Sequence, residues 1–236
     1  MNELACDFFD HDPAVPPMGL IVLQTDETIE PELRQAFADL SNPLYVTRIA
    51  SGSDVTPEML AGMKSDLAAS ADLLPKTRPY PVIGYGCTSA SSIIGSEEVE
   101  KMVKETAQTA LVTNPLRATV AQAKARGVSK FALVSPYIES VSEALRTAFG
   151  NEGISTDSFG SFGVMQDENV VRIDDASIYE AAVKLGSDPE VEAVFLSCTN
   201  LRTFGVIPKI EAELGKPVMS SNQSMAWHMR AQLPRS

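Results

Sequence analysis

The sequence predicts an α/β protein of two similar lobes, each a mostly parallel sheet wrapped by helices, with a cleft between them. Three observations carry this. Short apolar runs alternate with amphipathic stretches, the pattern of parallel strands joined by helical crossovers. Two of the runs end alike, Pro81-Val82-Ile83-Gly84-Tyr85-Gly86-Cys87-Thr88-Ser89 and Val191-Glu192-Ala193-Val194-Phe195-Leu196-Ser197-Cys198-Thr199-Asn200. A further pair, Ala110-Leu111-Val112-Thr113-Asn114-Pro115 and Lys216-Pro217-Val218-Met219-Ser220-Ser221-Asn222, shares the order strand, polar bend, helix.

Taken in order, residues 1–17 form a Pro-rich, acidic leader ending at Pro16-Pro17. Residues 19–23 read as a buried strand that runs into the polar loop Gln24-Thr25-Asp26-Glu27-Thr28. A helix follows with Pro31 in its first turn and Leu33, Phe37 and Leu40 on one face. Residues 44–49 form the second strand. Thr56-Pro57-Glu58 opens a helix expected to reach Leu74. Residues 81–86 are the next strand. Ser96-Glu97-Glu98-Val99 reads as a helix cap with acids in the first turn, leading to a strand at 110–113.

The second half repeats the pattern. A helix over 115–126 stops at Gly127, a strand spans 131–135, and a helix ends at Gly150. A strand is expected at 154–159. A helix starts at Asp174 or Asp175 and ends at Gly186. Residues 191–197 are a strand, 208–214 lie in a helix, 217–219 form a short strand, and a helix runs through Trp227. The expected division is a leader (1–17), a first lobe (18–113 with 218–236) and a second lobe (114–217), forming one compact unit.

Bulk properties bound the function. At 236 residues the chain can bury a substantial core. Its 19 basic and 31 acidic residues give −12, which disfavours nucleic acid as a partner. No run of about 18 apolar residues occurs, so no membrane span is expected. The leader lacks a basic start and an apolar stretch, so it does not read as a signal peptide, and the cytosol is the expected compartment. Two histidines, His11 and His228, and no Cys-x-x-Cys argue against a zinc site, so no metal is expected. Cys6, in the leader, reads as incidental.

Ligands of open parallel sheets bind beyond the carboxyl ends of strands. Cys87, Cys198, Asp26 and Tyr137 all fall there. Thiolates serve as bases and as nucleophiles. Two thiols on opposite faces of one carbon could pass a proton across it, which is racemisation. Alternatively, one could add to a double bond, permit rotation and leave, which is cis–trans isomerisation. Gln24, Thr88, Ser89, Thr199 and Asn200 offer short polar groups close to the backbone for a small carboxylate. A buried free cysteine often only packs, but two in equivalent settings favour chemistry. Tyr137 reads equally as a packing aromatic. Gly84-Tyr85-Gly86 lacks the third glycine of a dinucleotide loop, Ser89, Ser91 and Ser92 have no evident histidine partner, and Met219, Met225 and Met229 read as core.

From Gly19 to Met229 the chain resembles the aspartate/glutamate racemase superfamily, and within it the maleate cis–trans isomerase group that includes arylmalonate decarboxylase-like enzymes. Five segments carry the resemblance: Ile21-Val22-Leu23-Gln24-Thr25-Asp26-Glu27-Thr28, Gly84-Tyr85-Gly86-Cys87-Thr88-Ser89, Val134-Ser135-Pro136-Tyr137, Glu168-Asn169-Val170-Val171-Arg172 and Leu196-Ser197-Cys198-Thr199. The resemblance implies two pseudo-symmetric lobes, an active site between them, no cofactor, and a homodimer. It implies Cys87 and Cys198 as the catalytic pair, the first as nucleophile and the second handling the proton. It implies Tyr137 and Asn169 as ligands of substrate carboxylates. The decarboxylase branch has glycine at the first cysteine position, so Cys87 points away from that chemistry. Where maleate isomerases resembled here read Pro-Ser-Ser-Asn, this chain reads Leu23-Gln24-Thr25-Asp26. An ionised Asp cannot donate to a carboxylate but stabilises an ammonium group. The expected substrate is therefore a nitrogen-containing carboxylate, which suits the racemase-like proteins linked to ectoine breakdown that the chain resembles around Asp26. Maleate isomerisation and non-catalytic binding of a small carboxylate are the competing readings.

Overall fold

Among the described residues, eight strands in two parallel sheets organise the molecule. The computed structural model describes residues 4–52 and 54–234. The first sheet contains β1 (Met18–Leu23), β2 (Leu44–Ile49), β3 (Tyr80–Gly86) and β4 (Thr109–Thr113) in the order β2-β1-β3-β4. The second contains β5 (Lys130–Tyr137), β6 (Ser155–Val164), β7 (Ala193–Leu196) and β8 (Val218–Ser220) in the order β6-β5-β7-β8. The two orders are the same topology used twice, so β3 and β7, each ending just before a cysteine, are equivalent strands.

The helices of the first half are α1 (Ile29–Ala36), α2 (Pro57–Gly62), α3 (Leu67–Asp72), α4 (Thr88–Ile94) and α5 (Ser96–Lys104). Those of the second are α6 (Pro115–Arg126), α7 (Glu139–Asn151), α8 (Asp167–Val170), α9 (Asp175–Gly186), α10 (Ile207–Leu214) and α11 (Ser221–Arg230). Both faces of β1 are covered, so its run is apolar throughout. Met18, Leu20 and Val22 pack with α1 and α11, while Ile21 and Leu23 turn into the largest core cluster, which joins both sheets and includes both cysteines. Behind the second sheet, Phe131, Phe149 and Phe195 form an aromatic trio with ring centroids 5.3–5.8 Å apart.

Several expectations need correction. Residues 56–74 are not one helix. α2 ends at Gly62, a 3₁₀ turn covers Met63–Ser65, and α3 follows. Ser65 and Ser70 hydroxyls bond back to the Gly62 and Asp66 carbonyls, the competition that weakens serine-containing helices. Ser96 does not cap α5. Gly95, at φ +93°, holds the cap position, and the Ser96 hydroxyl donates to Asn114 Oδ1 (3.1 Å). The short helix α4 was not among the expected elements. β6 extends five residues past Phe159, and β7 is shorter than expected. β8 pairs in register with β7, Val194 opposite Val218, so the strand expected with the first lobe completes the second sheet. α11 then leaves for the first sheet and packs beside α6, with Ser224 Oγ donating to the buried Gln122 Oε1 (2.7 Å).

Glycines 84 and 86 have a packing role. A Cβ on Gly84 would lie 2.5 Å from Met225 Cε, and one on Gly86 would lie 2.7 Å from Ile29 Cδ1 and 3.3 Å from the Ile21 carbonyl. They let α11 and α1 approach β3 closely.

Candidate active site

The two cysteines sit in turns of different construction. Cys87 is the N-cap of α4, its Sγ accepting the Ala90 N–H at 3.3 Å. Cys198 has φ +98°, the one described non-glycine residue with positive φ, and its Sγ accepts the Asn200 N–H at 3.3 Å. A β-carbon in that region is strained, and such strain persists where surrounding contacts over-determine it. Those contacts are the Ser221 hydroxyl, accepting the Cys198 N–H (3.0 Å), and the Asn222 amide, donating to Thr199 O (2.8 Å).

The same hydroxyl joins the two turns. Thr88 Oγ1 donates to Ser221 Oγ (2.8 Å), and Thr199 Oγ1 donates to Gly86 O (3.2 Å). Each residue flanking Cys87 is thus bonded to the segment around Cys198 or to its holder. Asn200 ties the second turn to the loop after β1: it accepts the Glu27 N–H (2.9 Å), and its carbonyl accepts the Thr28 hydroxyl (2.9 Å).

Tyr137, at the end of β5, touches Cys198 Sγ at 2.9 Å and donates to Asp167 Oδ1 at 2.6 Å. A phenol has one proton, so with that proton directed to the carboxylate the Cys198 S–H is the donor to Tyr137. The result is a directed chain from thiol to phenol to carboxylate. Asp167 Oδ2 also accepts Thr25 Oγ1 (2.7 Å) and Asn200 Nδ2 (3.3 Å).

Asp26 is buried after β1. Its Oδ1 accepts the N–H groups of Thr28 and Ile29, both at 2.8 Å, while Oδ2 makes no hydrogen bond. The Thr199 hydroxyl, which also faces this carboxylate, is directed to Gly86 O. Burial raises the Asp26 pKa from 3.8 to about 6, against the pull of the Ile29 and Thr28 N–H groups. Burial also pushes the Cys87 thiol up to about 12, with the Asp167 and Asp26 carboxylates adding to the rise. The Cys198 thiol is raised well above its ordinary value by burial and then by Asp167. Both thiols therefore hold their protons in this closed form.

Of the residues singled out from sequence, Asp26, Thr88, Tyr137, Thr199 and Asn200 share this hydrogen-bonded frame with the two cysteines. Ser89 lies buried beside Cys87 in α4. Gln24 is exposed, and its backbone joins Ile49 and Arg48. Asn169 is half-buried, its Oδ1 accepting from Arg172 (3.4 Å). Two residues before it, Asp167 takes the place in the frame. Sequence reasoning missed Asp167 and Ser221; the expected strand stops at Phe159, whereas β6 runs to Val164 and so brings Asp167 just past a strand's carboxyl end, the position that singled out Asp26. Among the described residues, no group of three or more His, Cys, Asp or Glu side chains is arranged to hold a metal ion. No helix among them is long and apolar enough to cross a membrane.

The family model for arylmalonate decarboxylase matches residues 18–235. The chain belongs to the arylmalonate decarboxylase family. Family relatives include an arylmalonate decarboxylase of Bordetella bronchiseptica, 27% identical over 224 residues, covering 91% of this chain and 89% of that one. A maleate isomerase of Nocardia farcinica (strain IFM 10152) is 28% identical over 227 residues, covering 89% and 87%. Among solved structures, a cysteine-to-serine variant of the Nocardia farcinica maleate cis–trans isomerase carries a covalently bound succinylcysteine intermediate. It superposes with a TM-score of 0.84, at 24% identity, covering 92% of this chain and 93% of that chain, a likeness that speaks for the fold. The enzyme class expected from the sequence, isomerase, is that of the maleate isomerases in this group.

Proposed function

We propose that the protein is a cofactor-independent racemase or isomerase of a small, nitrogen-containing carboxylate, with Cys87 and Cys198 as its working pair. The observation that carries this is that two cysteine turns, built differently but at the ends of equivalent strands, are joined through one hydroxyl, Ser221. The directed chain from Cys198 through Tyr137 to Asp167 favours Cys198 as the proton-holding member. Cys87 is then the base or nucleophile. In racemisation, Cys87 as thiolate removes a proton from the substrate carbon, and the Cys198 thiol delivers one to the opposite face. Exchange with solvent then resets the pair. Asp26, with its unpaired oxygen, favours a substrate ammonium over a second carboxylate.

Maleate cis–trans isomerisation is the second reading, favoured by the curated maleate isomerase relative. There Cys87 adds to the double bond, the C–C bond rotates, and the thiolate leaves again.

Cys87 and Cys198 are only 4% and 3% exposed, so the cleft must open for a substrate to enter. The contacts to be released include the Thr25–Asp167 bond, the Asp54–Gln166 bridge and the bond from Val55 N–H to Met165 O (2.8 Å).

Replacing Cys87 or Cys198 separately by Ser is expected to lower turnover by roughly 10²–10⁴-fold, the usual weight of a positioned proton-transfer group. Normal turnover in both variants would falsify the assignment. Reaction in deuterium oxide separates the two chemistries: racemisation places deuterium on the substrate carbon, whereas addition and rotation need not. Substrate class is decided by a panel of amino acids and unsaturated diacids. Faster turnover of maleate than of any amino acid or diamino acid derivative would defeat the nitrogen-containing substrate.

A further inference from the structure

The frame around the two thiols contains two buried carboxylates, and among the described residues neither has a cationic partner. Asp167 accepts from a phenol, a hydroxyl and an amide, all neutral. A carboxylate offers about four acceptor positions, so one remains. Asp26 Oδ2 is buried with no hydrogen-bond partner among the described residues, the Thr199 hydroxyl that faces this carboxylate being directed to Gly86 O. None of the described ion pairs involves either residue. Arg48 bonds the backbone carbonyls of Leu23, Gln24 and Asp26 and the Glu30 carboxylate, and makes no bond to the Asp26 carboxylate. Both carboxylates act electrostatically on both cysteines, and Asp167 acts on Asp26. Two carboxylates at close quarters, without a cation beside them among the described residues, leave the site short of one cation.

Resting on the two-thiol reading above, we propose that Asp26 and Asp167 together seat the cationic nitrogen of the substrate, and that this seated cation is what allows Cys87 to ionise. The exchange balances. At this seat one ammonium group enters and one proton leaves Cys87 for solvent, so the charge there is unchanged, and the substrate's own carboxylate adds a single negative charge outside it. The enzyme then needs no lysine, arginine or histidine of its own to generate a thiolate. An ammonium-free diacid would instead add two negative charges beside two existing ones. The thiol stays protonated until the correct substrate arrives, so activation and specificity are one event.

The test uses simple ions and the intact protein. Propylammonium and propionate are titrated calorimetrically at pH 8 in buffers of different ionisation enthalpy, which counts protons exchanged on binding. Asp26 is already ionised there, so the thiol is the proton source. Propylammonium is expected to bind at least tenfold more tightly than propionate, with release of about one proton. Asp167→Asn is expected to weaken propylammonium at least tenfold, and Cys87→Ser to bind it without proton release. Preference for propionate, absence of propylammonium binding, or binding without proton release in the unsubstituted protein each overturns the proposal. So does unchanged propylammonium affinity in a folded Asp167→Asn. Should that variant not fold, the comparison of the two ions still decides. A preference for propionate leaves a two-thiol enzyme of a diacid standing. Normal turnover of the two Cys→Ser variants removes the two-thiol assignment without touching the ion comparison.

Discussion

At the scale of single residues, Asp26 links structure to a measurable pH dependence. Its pKa in the folded protein is about 6 against an ordinary 3.8, burial being the main cause. The folded state therefore binds the proton more tightly than the unfolded chain does. The resulting stability is fully present below about pH 4 and is lost as pH rises through about 6. The gap is worth roughly 3 kcal/mol. Asp26→Asn keeps an oxygen for the Thr28 and Ile29 N–H groups and removes the charge. The variant should melt several degrees above the unsubstituted protein at pH 8, and the difference should vanish near pH 4. A melting-temperature difference independent of pH would contradict this. The residues legible from sequence were those with a strand signal in front of them: Cys87, Cys198, Asp26 and Tyr137 each follow a strand-like apolar run. Asp167 escaped because α8 is four residues long, too short for periodicity to show which side chain faces inward. Ser221 escaped because a serine after a strand reads as a helix cap. Its neighbour Ser220 does cap α11, accepting the Gln223 N–H, while Ser221 receives the cysteine turns.

At the scale of elements, β3 shows how packing constrains a strand that ends in a functional turn. Gly86 and Gly84 face α1 and α11 respectively. An alanine methyl at 84 meets the ends of two methionines, which have several rotatable bonds and can move aside. At 86 it meets a branched isoleucine and a strand carbonyl. Gly86→Ala is expected to cost about 1–3 kcal/mol, and Gly84→Ala less. Urea midpoints at constant slope measure both, and the reverse order would show that α11 is the less yielding neighbour. The central strands β1, β3, β5 and β7 were readable because both of their faces are buried, which makes apolar runs continuous. The break between α2 and α3 and the position of the α5 cap were not. Both depend on local hydroxyl-to-carbonyl bonds and on the Asn114 contact, which no periodicity encodes.

Across the whole molecule, the lobes are tied by polar contacts as well as by their shared core. Glu32 of α1 is buried and accepts the N–H groups of Thr203 (2.7 Å) and Phe204 (3.0 Å) and the Asn222 amide (2.7 Å). Burial raises its pKa against these donors. Removing the carboxylate strands the buried Thr203 and Asn222 donors and the half-buried Phe204 N–H, so Glu32→Ala should destabilise by roughly 3 kcal/mol. Glu32→Gln, which keeps an acceptor oxygen, should lose less. A calorimetric enthalpy equal to the van't Hoff value in the unsubstituted protein would show that the lobes unfold together. The twofold repetition of topology was visible in the sequence because its two cysteine-ending runs are alike. The seam at β8 was not, since a strand of three residues carries no mark of the sheet it joins.

The burial of Cys87 and Cys198 also governs how the resting protein meets electrophiles. Maleimides and peroxide attack thiolates that they can reach. Here two thiols are covered and protonated, whereas Cys6 stands exposed in the leader. A brief maleimide treatment of the folded protein should therefore attach a single label, at Cys6, and leave Cys87 and Cys198 unlabelled.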